Sequence, residues 1–184
     1  GSIDGYAYSN TLEAFNRSYA EGFRLFECDL VRLADGTVLL AHDRTERLYG
    51  LKKSFHDATL ADVRHLRYRG RYTLLTSHSL IHLMRSHPDV RVILDTKWEH
   101  LEILREIVHE AQGDRSVLDR LVPHVTNPAN IRAVRSIYHF RGAILALYRM
   151  GDVSNSQIVK TVRTFNLSAV MMILPAALLM FRAP

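Results

Sequence analysis

Short apolar runs alternate with longer amphipathic stretches along this chain. The apolar runs are VRVILD (90–95), LVPHV (121–125), AILALYRM (143–150) and SAVMMIL (168–174). Their length is typical of strands, and their continuous apolar character suits strands that are covered on both faces. Strands that alternate with helices in this way form a parallel sheet joined by crossover helices. The pattern therefore predicts an α/β fold, and an open doubly wound sheet and a closed barrel both satisfy it.

The amphipathic stretches contain recognisable helix start and stop signals. In NTLEAFNRSYAEG (10–22), Asn10 and Glu13 form a capping-box pattern, and Gly22 can end the helix. Asn127 and Pro128 also mark a helix start, with Asn127 as the cap and Pro128 in the first turn. The further expected helices are TLADVRHL (59–66), SLIHLMRSH (79–87), WEHLEILREIVHEA (98–111), NPANIRAVRSI (127–137) and NSQIVKTVRTF (155–165).

The segment FRLFECDLVRLADGTVLLAHD (23–43) places charged residues inside apolar strands. A strand is expected over 23–31, a turn at ADGT, and a second, shorter strand over 37–41. Side chains in a strand alternate between faces, so Glu27 and Asp29 point the same way. Buried carboxylates are costly unless they are compensated, and a hard divalent cation would offset both their desolvation and their repulsion. Pairing with arginines such as Arg24 and Arg32 explains this spacing about equally well.

A second charged pair occurs in VILDTKW, where Asp95 and Lys97 share one face at the end of a strand. Asp95 could supply a third oxygen ligand to a metal, and Lys97 a positive contact for a phosphate oxygen. A simple ion pair in a loop is the alternative. His42 closes the apolar run 37–41, and the turn before it can bring the histidine back over the face of the acids.

The composition limits the class of protein. The chain has 184 residues, 47% of them hydrophobic, a formal net charge of +5 and a pI near 9.6, which fits a single domain over residues 1–184. Its basic residues are scattered, so the sequence does not predict a nucleic-acid groove. Cys28 is the single cysteine, which excludes an internal disulfide, and we expect it to lie in the core, facing away from the acids.

Membrane and targeting signals are weak. The stretch AVMMILPAALLMF (169–181) is shorter than a bilayer span requires and is interrupted by Pro175, so a buried strand followed by a helix start is the better interpretation. No signal-peptide pattern opens the sequence, which favours a cytoplasmic protein. A membrane lipid as partner is possible on this evidence but is not indicated.

The order NTLEAF, glycine, E-C-D, D-G, A-H-D and D-T-K resembles the glycerophosphodiester phosphodiesterase family, which is related to the sphingomyelinase D toxins. The resemblance is dense over 10–43 and returns at 92–98. It implies a TIM-type (β/α) barrel and hydrolysis of a small-molecule phosphodiester to glycerol phosphate and an alcohol. The barrel is expected to be incomplete, because no first strand and no last strands are visible in a chain shorter than the usual ~250 residues.

The resemblance also implies roles for particular residues. Glu27, Asp29 and Asp95 would be ligands of one divalent cation, Mg²⁺ or Ca²⁺. His42 would be one of two catalytic histidines, and Lys97 would act beside the substrate phosphate in both catalysis and binding. His124 and Tyr148 are further candidates for substrate contact, although a loop histidine and a packing tyrosine are the more ordinary interpretations of these two positions.

One departure from the family pattern leaves two other functions open. The family's second histidine ends the first strand, and no histidine precedes His42 in this sequence. A truncated, catalytically inactive homologue is therefore one alternative. A phospholipase D or sphingomyelinase D-like enzyme acting on lipid head groups is the other, because Asp95 and the apolar tail lean slightly that way.

Overall fold

The computed structural model describes residues 2–150 and 153–172. The strands are β1 (Leu25–Arg32), β2 (Val38–Leu40), β3 (Arg67–Tyr68), β4 (Tyr72–Thr73), β5 (Arg91–Thr96), β6 (Leu121–Val125), β7 (Ile144–Ala146) and β8 (Ala169–Met171). The α-helices are α1 (Leu12–Ala20), α2 (Leu60–Val63), α3 (Ser77–Ser86), α4 (His100–Glu110), α5 (Arg115–Leu118), α6 (Pro128–Ile137) and α7 (Asn155–Phe165). The end of the predicted strand at 173–174, and most of the apolar stretch 169–181, lie outside the described residues.

Six strands form one sheet in the order β2-β1-β5-β6-β7-β8. The pairs β1–β5, β5–β6, β6–β7 and β7–β8 are parallel, and β2 folds back antiparallel onto the end of β1. This is the predicted α/β architecture of parallel strands with crossover helices, and it matches the TIM-type fold. The carboxyl ends of the parallel strands lie along the same edge of the sheet, where folds of this class place their functional residues.

The main core lies between the sheet and the helices. Cys28 and Leu30 of β1 and Val92 and Leu94 of β5 point into this core, together with apolar residues of the packed helices. Cys28 is buried, as predicted, and burial raises the pKa of its thiol to about 12. Because strand side chains alternate, the residues next to these four along the strands point to the opposite face, and they include Glu27, Asp29 and Asp95.

A second apolar cluster supports the return segment after β1. Val31, Leu33, Leu39 and Ala41 pack there against Tyr49, Phe55 and Tyr68 of the long connection to α3. This connection contains the short antiparallel pair of β3 and β4. The cluster holds the chain just before His42 against the end of β1.

The local predictions fail in three places. The helix expected over 59–66 is only one turn long, at α2, and the strand expected over 143–150 ends at Ala146 and continues as a 3₁₀ turn over Leu147–Arg149. Thr11, not Asn10, caps α1, and its side chain accepts a hydrogen bond from the Ala14 amide. Tertiary contacts override local pattern here, because Glu13 bonds Thr73 of β4 and not the helix start.

Helices elsewhere follow the predicted signals. Helix α6 begins at Pro128 after the Asn127 cap, and α7 spans 155–165 with a capping box between Ser154 and Gln157. Among the described residues, no helix combines the length and the apolar character that a bilayer span needs.

Candidate functional site

Three carboxylates converge from two neighbouring parallel strands. Asp29 of β1 and Asp95 of β5 are direct register partners, so their side chains leave the same face of the sheet side by side. Glu27 lies two residues before Asp29 and therefore shares that face. One oxygen from each of the three residues lies within 4.8 Å of the other two. The structure thus brings together the three acids that the sequence selected.

Arginines in the described part of the chain do not pair with the three acids. Arg24 pairs with Asp89 at 2.6 Å and Arg32 with Glu99 at 3.1 Å, so the expected alternative, that these arginines neutralise the acids, is wrong. In the described part of the chain, no lysine or arginine lies within ion-pair distance of Glu27 or Asp95. Burial, and then the charges of Asp29 and Asp95, raise the pKa of Glu27.

The donor set fits a hard divalent cation. All three side chains offer carboxylate oxygens, which Mg²⁺ and Ca²⁺ prefer, and two of the three residues are buried. Among the described side chains, the ammonium near the cluster is that of Lys97, whose Nζ lies 3.5 Å from Asp29 Oδ1 and 3.1 Å from Asp43 Oδ1. A single lysine shared between two acids leaves the cluster with excess negative charge. These residues are therefore suited to hold a metal ion.

His42 faces the same cleft with its Nε2 atom. Its Nδ1 lies 2.8 Å from the carbonyl oxygen of Asp43, and its Nε2 lies 2.5 Å from Lys97 Nζ and 4.0 Å from Asp29 Oδ1. A carbonyl oxygen only accepts and an ammonium only donates, so Nδ1 bears the proton and Nε2 bears the lone pair. The ring of Tyr8 packs on the imidazole with a centroid distance of 4.5 Å. This arrangement presents a neutral base to the acid cluster.

Lys97 follows directly after β5 and reaches across to the loop that contains His42. Burial lowers the pKa of Lys97, but the hydrogen bond to Asp43 and the charges of Asp29 and Asp43 outweigh burial and raise it overall. The side chain therefore stays positively charged at neutral pH. The sequence indicated that Lys97 lies on the strand, but β5 ends at Thr96 and Lys97 is the residue after it.

His124 and Tyr148 both contact Asp95. His124 belongs to β6 and is buried, so its interpretation as an ordinary loop histidine is wrong. Its Nδ1 lies 3.3 Å from Asp95 Oδ1, and the Tyr148 hydroxyl donates to the same oxygen at 3.5 Å. Burial raises the pKa of Asp95, but the His124 hydrogen bond and nearby positive charges lower it overall. Burial and the Asp95 charge raise the pKa of Tyr148 to about 12.

Two residues that the sequence reasoning missed hold this site in place. Asn10, which was predicted to cap α1, donates from Nδ2 to Asp29 Oδ2 at 3.0 Å and accepts from the Asp29 amide at 3.3 Å. Its φ of 46° is left-handed, a conformation that asparagine adopts more readily than most residues. Arg149 donates to the carbonyls of Thr96 and Lys97, at 2.7 Å for the second, and so fixes the end of β5.

A cleft of about 440 Å³ opens over the acids. Its described lining consists of Ser2, Ala7, Tyr8, Glu27, Asp29, His42, Asp95 and Lys97. Trp98 is exposed beside a narrower cleft that also touches Asp29 and Lys97. A larger cavity of about 590 Å³ lies between α6 and α7, but its described lining contains none of the acids or histidines of the site. The combination of acids, base and ammonium identifies the 440 Å³ cleft as the candidate site.

Comparison with known proteins gives a consistent result. A family model described as the glycerophosphoryl diester phosphodiesterase family matches residues 2–170. Among solved structures, a glycerophosphodiester phosphodiesterase from Thermotoga maritima is similar at 19% identity and a TM-score of 0.65, over 88% of this chain and 66% of that one. One from Parabacteroides distasonis is similar at 14% identity and a TM-score of 0.66, over 97% and 83%.

A third similar structure contains a ligand. It is a phosphodiesterase from Oleispira antarctica in complex with the product sn-glycerol-3-phosphate, and it shares 14% identity with this chain at a TM-score of 0.58. The match extends over 96% of this chain and 84% of that one. At these identities the structural likenesses establish the fold.

Proposed function

Because the chain belongs to the glycerophosphoryl diester phosphodiesterase family, we propose that its 440 Å³ cleft hydrolyses glycerophosphodiesters to glycerol phosphate and an alcohol. The observation that supports this most directly is the convergence of Glu27, Asp29 and Asp95 beside the Nε2 atom of His42. The similar Oleispira antarctica enzyme was solved with sn-glycerol-3-phosphate, which is a product of this type of reaction.

In this proposal Glu27, Asp29 and Asp95 hold one divalent cation, Mg²⁺ or Ca²⁺. The cation, when bound, supplies the positive charge that stabilises a phosphodiester as charge develops on its oxygens. Asn10 occupies one oxygen of Asp29 through its amide, which orients the carboxylate. His124 does the same for Asp95.

His42 is the proposed general base or acid. Its Nε2 lone pair points into the cleft, and its Nδ1–H is anchored on the Asp43 carbonyl, so the ring is held in the tautomer that can take a proton at Nε2. The proton would come from the attacking water or from a hydroxyl of the substrate itself. Lys97, which now donates to His42 and Asp43, is the group that would contact a phosphate oxygen and offset its charge.

His124 and Tyr148 are the proposed substrate contacts at the other side of Asp95. Within the described residues, His124 Nε2 is buried and has no hydrogen-bond partner, so it remains able to bind a ligand oxygen. The Tyr148 hydroxyl donates its one proton to Asp95 Oδ1, and its oxygen lone pairs can accept a hydrogen bond from a substrate hydroxyl.

The test is glycerol phosphate release from a glycerophosphodiester in the presence of Mg²⁺ or Ca²⁺, followed by phosphorus NMR. We expect His42→Asn to reduce turnover roughly 10²- to 10⁴-fold, while the metal-induced rise in melting temperature persists. His65→Asn is the matched control, since His65 is exposed and outside the cleft. Unchanged turnover in His42→Asn would remove this histidine from the chemistry.

A further inference from the structure

Two histidines on the outer surface of α3 face each other, away from the proposed active site. His78 and His82 are both exposed and are separated by one helical turn. Their Nε2 atoms lie 3.2 Å apart, and their ring centroids lie 4.7 Å apart. Nothing in the proposed hydrolysis uses this pair.

We propose that His78 and His82 form a second metal site, specific for a divalent transition metal such as Zn²⁺, Cu²⁺ or Ni²⁺. Histidines at positions i and i+4 of a helix lie on one face and can bind one ion together. The two residues act as a chelating pair, with solvent completing the coordination. This site is independent of the proposed function of the cleft.

The separation of the two nitrogen atoms fits this geometry. Metal–nitrogen bonds of about 2.0–2.1 Å that meet at a right angle or a tetrahedral angle place the two nitrogens about 2.8–3.4 Å apart. The observed 3.2 Å lies inside that interval. Without an ion, the contact requires one imidazole to donate its Nε2 proton to the other. When a metal binds, the donating ring changes tautomer and carries its proton on Nδ1, so that both Nε2 atoms offer a lone pair to the ion.

Negative charge on the neighbouring helix α4 favours a cation at this position. Burial raises the pKa of Glu110 and the Glu106 charge raises it further, whereas a hydrogen bond with Ser77 and the charges of His78 and His109 lower it. In the described part of the chain, the Oε2 atom of Glu110 is buried without a hydrogen-bond partner. A divalent ion on the histidine pair would place positive charge beside this carboxylate, which lacks a full set of partners.

Ligand chemistry separates the two sites of the chain. Carboxylate oxygens in the cleft suit Mg²⁺ and Ca²⁺, whereas imidazole nitrogens suit Zn²⁺, Cu²⁺ and Ni²⁺. In the described residues, three candidate ligands converge at the acid cluster. The histidine pair offers only two ligands, so its denticity is lower. We therefore expect moderate affinity, and no response to Mg²⁺.

The test uses tag-free protein with Glu27→Gln and Asp29→Asn in the background, so that the cleft does not compete for metal. Cu²⁺ is titrated by calorimetry, and electron paramagnetic resonance reports nitrogen ligation. We expect one Cu²⁺ bound with a two-nitrogen signature, and roughly 10²-fold weaker binding in His78→Gln or His82→Gln, since the second ligand acts at high effective concentration. Both side chains are exposed, so neither substitution should disturb the fold, and either variant alone tests the proposal.

His65→Gln is the control, because His65 is an exposed histidine outside the pair, and its Cu²⁺ affinity should equal that of the parent. Equal affinity in all three variants, or the absence of a two-nitrogen signature in the parent, would overturn the proposal. Circular dichroism checks that each variant keeps its helical content.

Discussion

Replacing Glu27 by glutamine should change the stability of this protein in opposite directions with and without metal. The substitution keeps the shape of the side chain and removes one negative charge from the acid cluster. Without a cation, Glu27 faces the charges of Asp29 and Asp95, and burial together with these charges raises its pKa. Removing the charge therefore relieves a repulsion. With a cation bound, the same charge is a ligand, and removing it weakens binding.

The expected magnitude follows from the geometry. Two unit charges separated by the 4.8 Å limit of the cluster repel by about 0.9 kcal/mol at the dielectric constant of water and by about 3.5 kcal/mol at an effective value of 20. The site lies between these limits because its cleft is open to solvent. Metal-free Glu27→Gln should thus be more stable by ~1–3 kcal/mol. A cation at 1,000 times its Kd adds about 4.1 kcal/mol to the parent, most of which the variant should lose.

The assay is urea unfolding of both proteins with a chelator and then with millimolar Mg²⁺ or Ca²⁺. Stability changes are taken from the shift in midpoint at constant slope, which indicates that the unfolded state has not changed. We expect the two curves to change order, with the variant more stable in the chelator and the parent more stable in metal.

Glu110→Gln is a matched control. Glu110 is a second carboxyl whose pKa is raised first by burial, but it lies on α4, away from the cleft. Its substitution should also relieve a desolvation cost and should leave the Mg²⁺ or Ca²⁺ response intact. A Glu27→Gln protein that is less stable than the parent in the chelator, or that keeps the full metal response, would refute the assignment of the cluster as a repulsive cation site.

Two further changes test the surroundings of the cluster. Asn10→Ala removes both hydrogen bonds to Asp29, so it should lower the free energy of unfolding by ~1–3 kcal/mol and weaken metal binding roughly 10- to 100-fold. The control is Asn166→Ala, at a second left-handed asparagine of the described residues (φ 47°), which should cost stability without changing metal affinity. Equal metal affinity in both variants would contradict the role of Asn10. Burial, and then the charges of Arg149 and His124, lower the pKa of His100 from 6.5 to about 4, so the unfolded chain binds the proton more tightly and stability is lost as the pH falls through 6.5 towards 4. Urea midpoints should show a loss of ~2 kcal/mol from this group between pH 7.5 and 5, which His100→Gln should abolish; an identical pH dependence in the variant would exclude His100 as the source.

The sequence alone was sufficient for the features that arise within single elements. Helix α6 could be predicted from Asn127 and Pro128, because capping is a matter of four adjacent residues. Glu27 and Asp29 could be placed on one face, because the two-residue period of a strand determines it. The ordered motifs around these residues were also enough to identify the family, which the match over residues 2–170 confirms.

Features that join separate elements could not be predicted in this way. Asn10 matches the pattern of a helix cap, but the structure assigns that role to Thr11 and turns Asn10 towards Asp29, nineteen positions away along the chain. His124 contacts Asp95 only because β6 pairs with β5 in a register that sets these residues at the same level.

The division has a physical reason. Periodicity and capping depend on backbone geometry that each segment contains by itself, so they can be read from neighbouring residues. Strand register and contacts across the sheet depend on which packing of the whole core excludes most apolar surface from water, and this is not a property of any one segment. Sequence therefore selected the three acids and His42, and with them Lys97, His124 and Tyr148 as candidates. Tertiary packing decided that Asn10 and Arg149 hold the site and that His124 contacts Asp95.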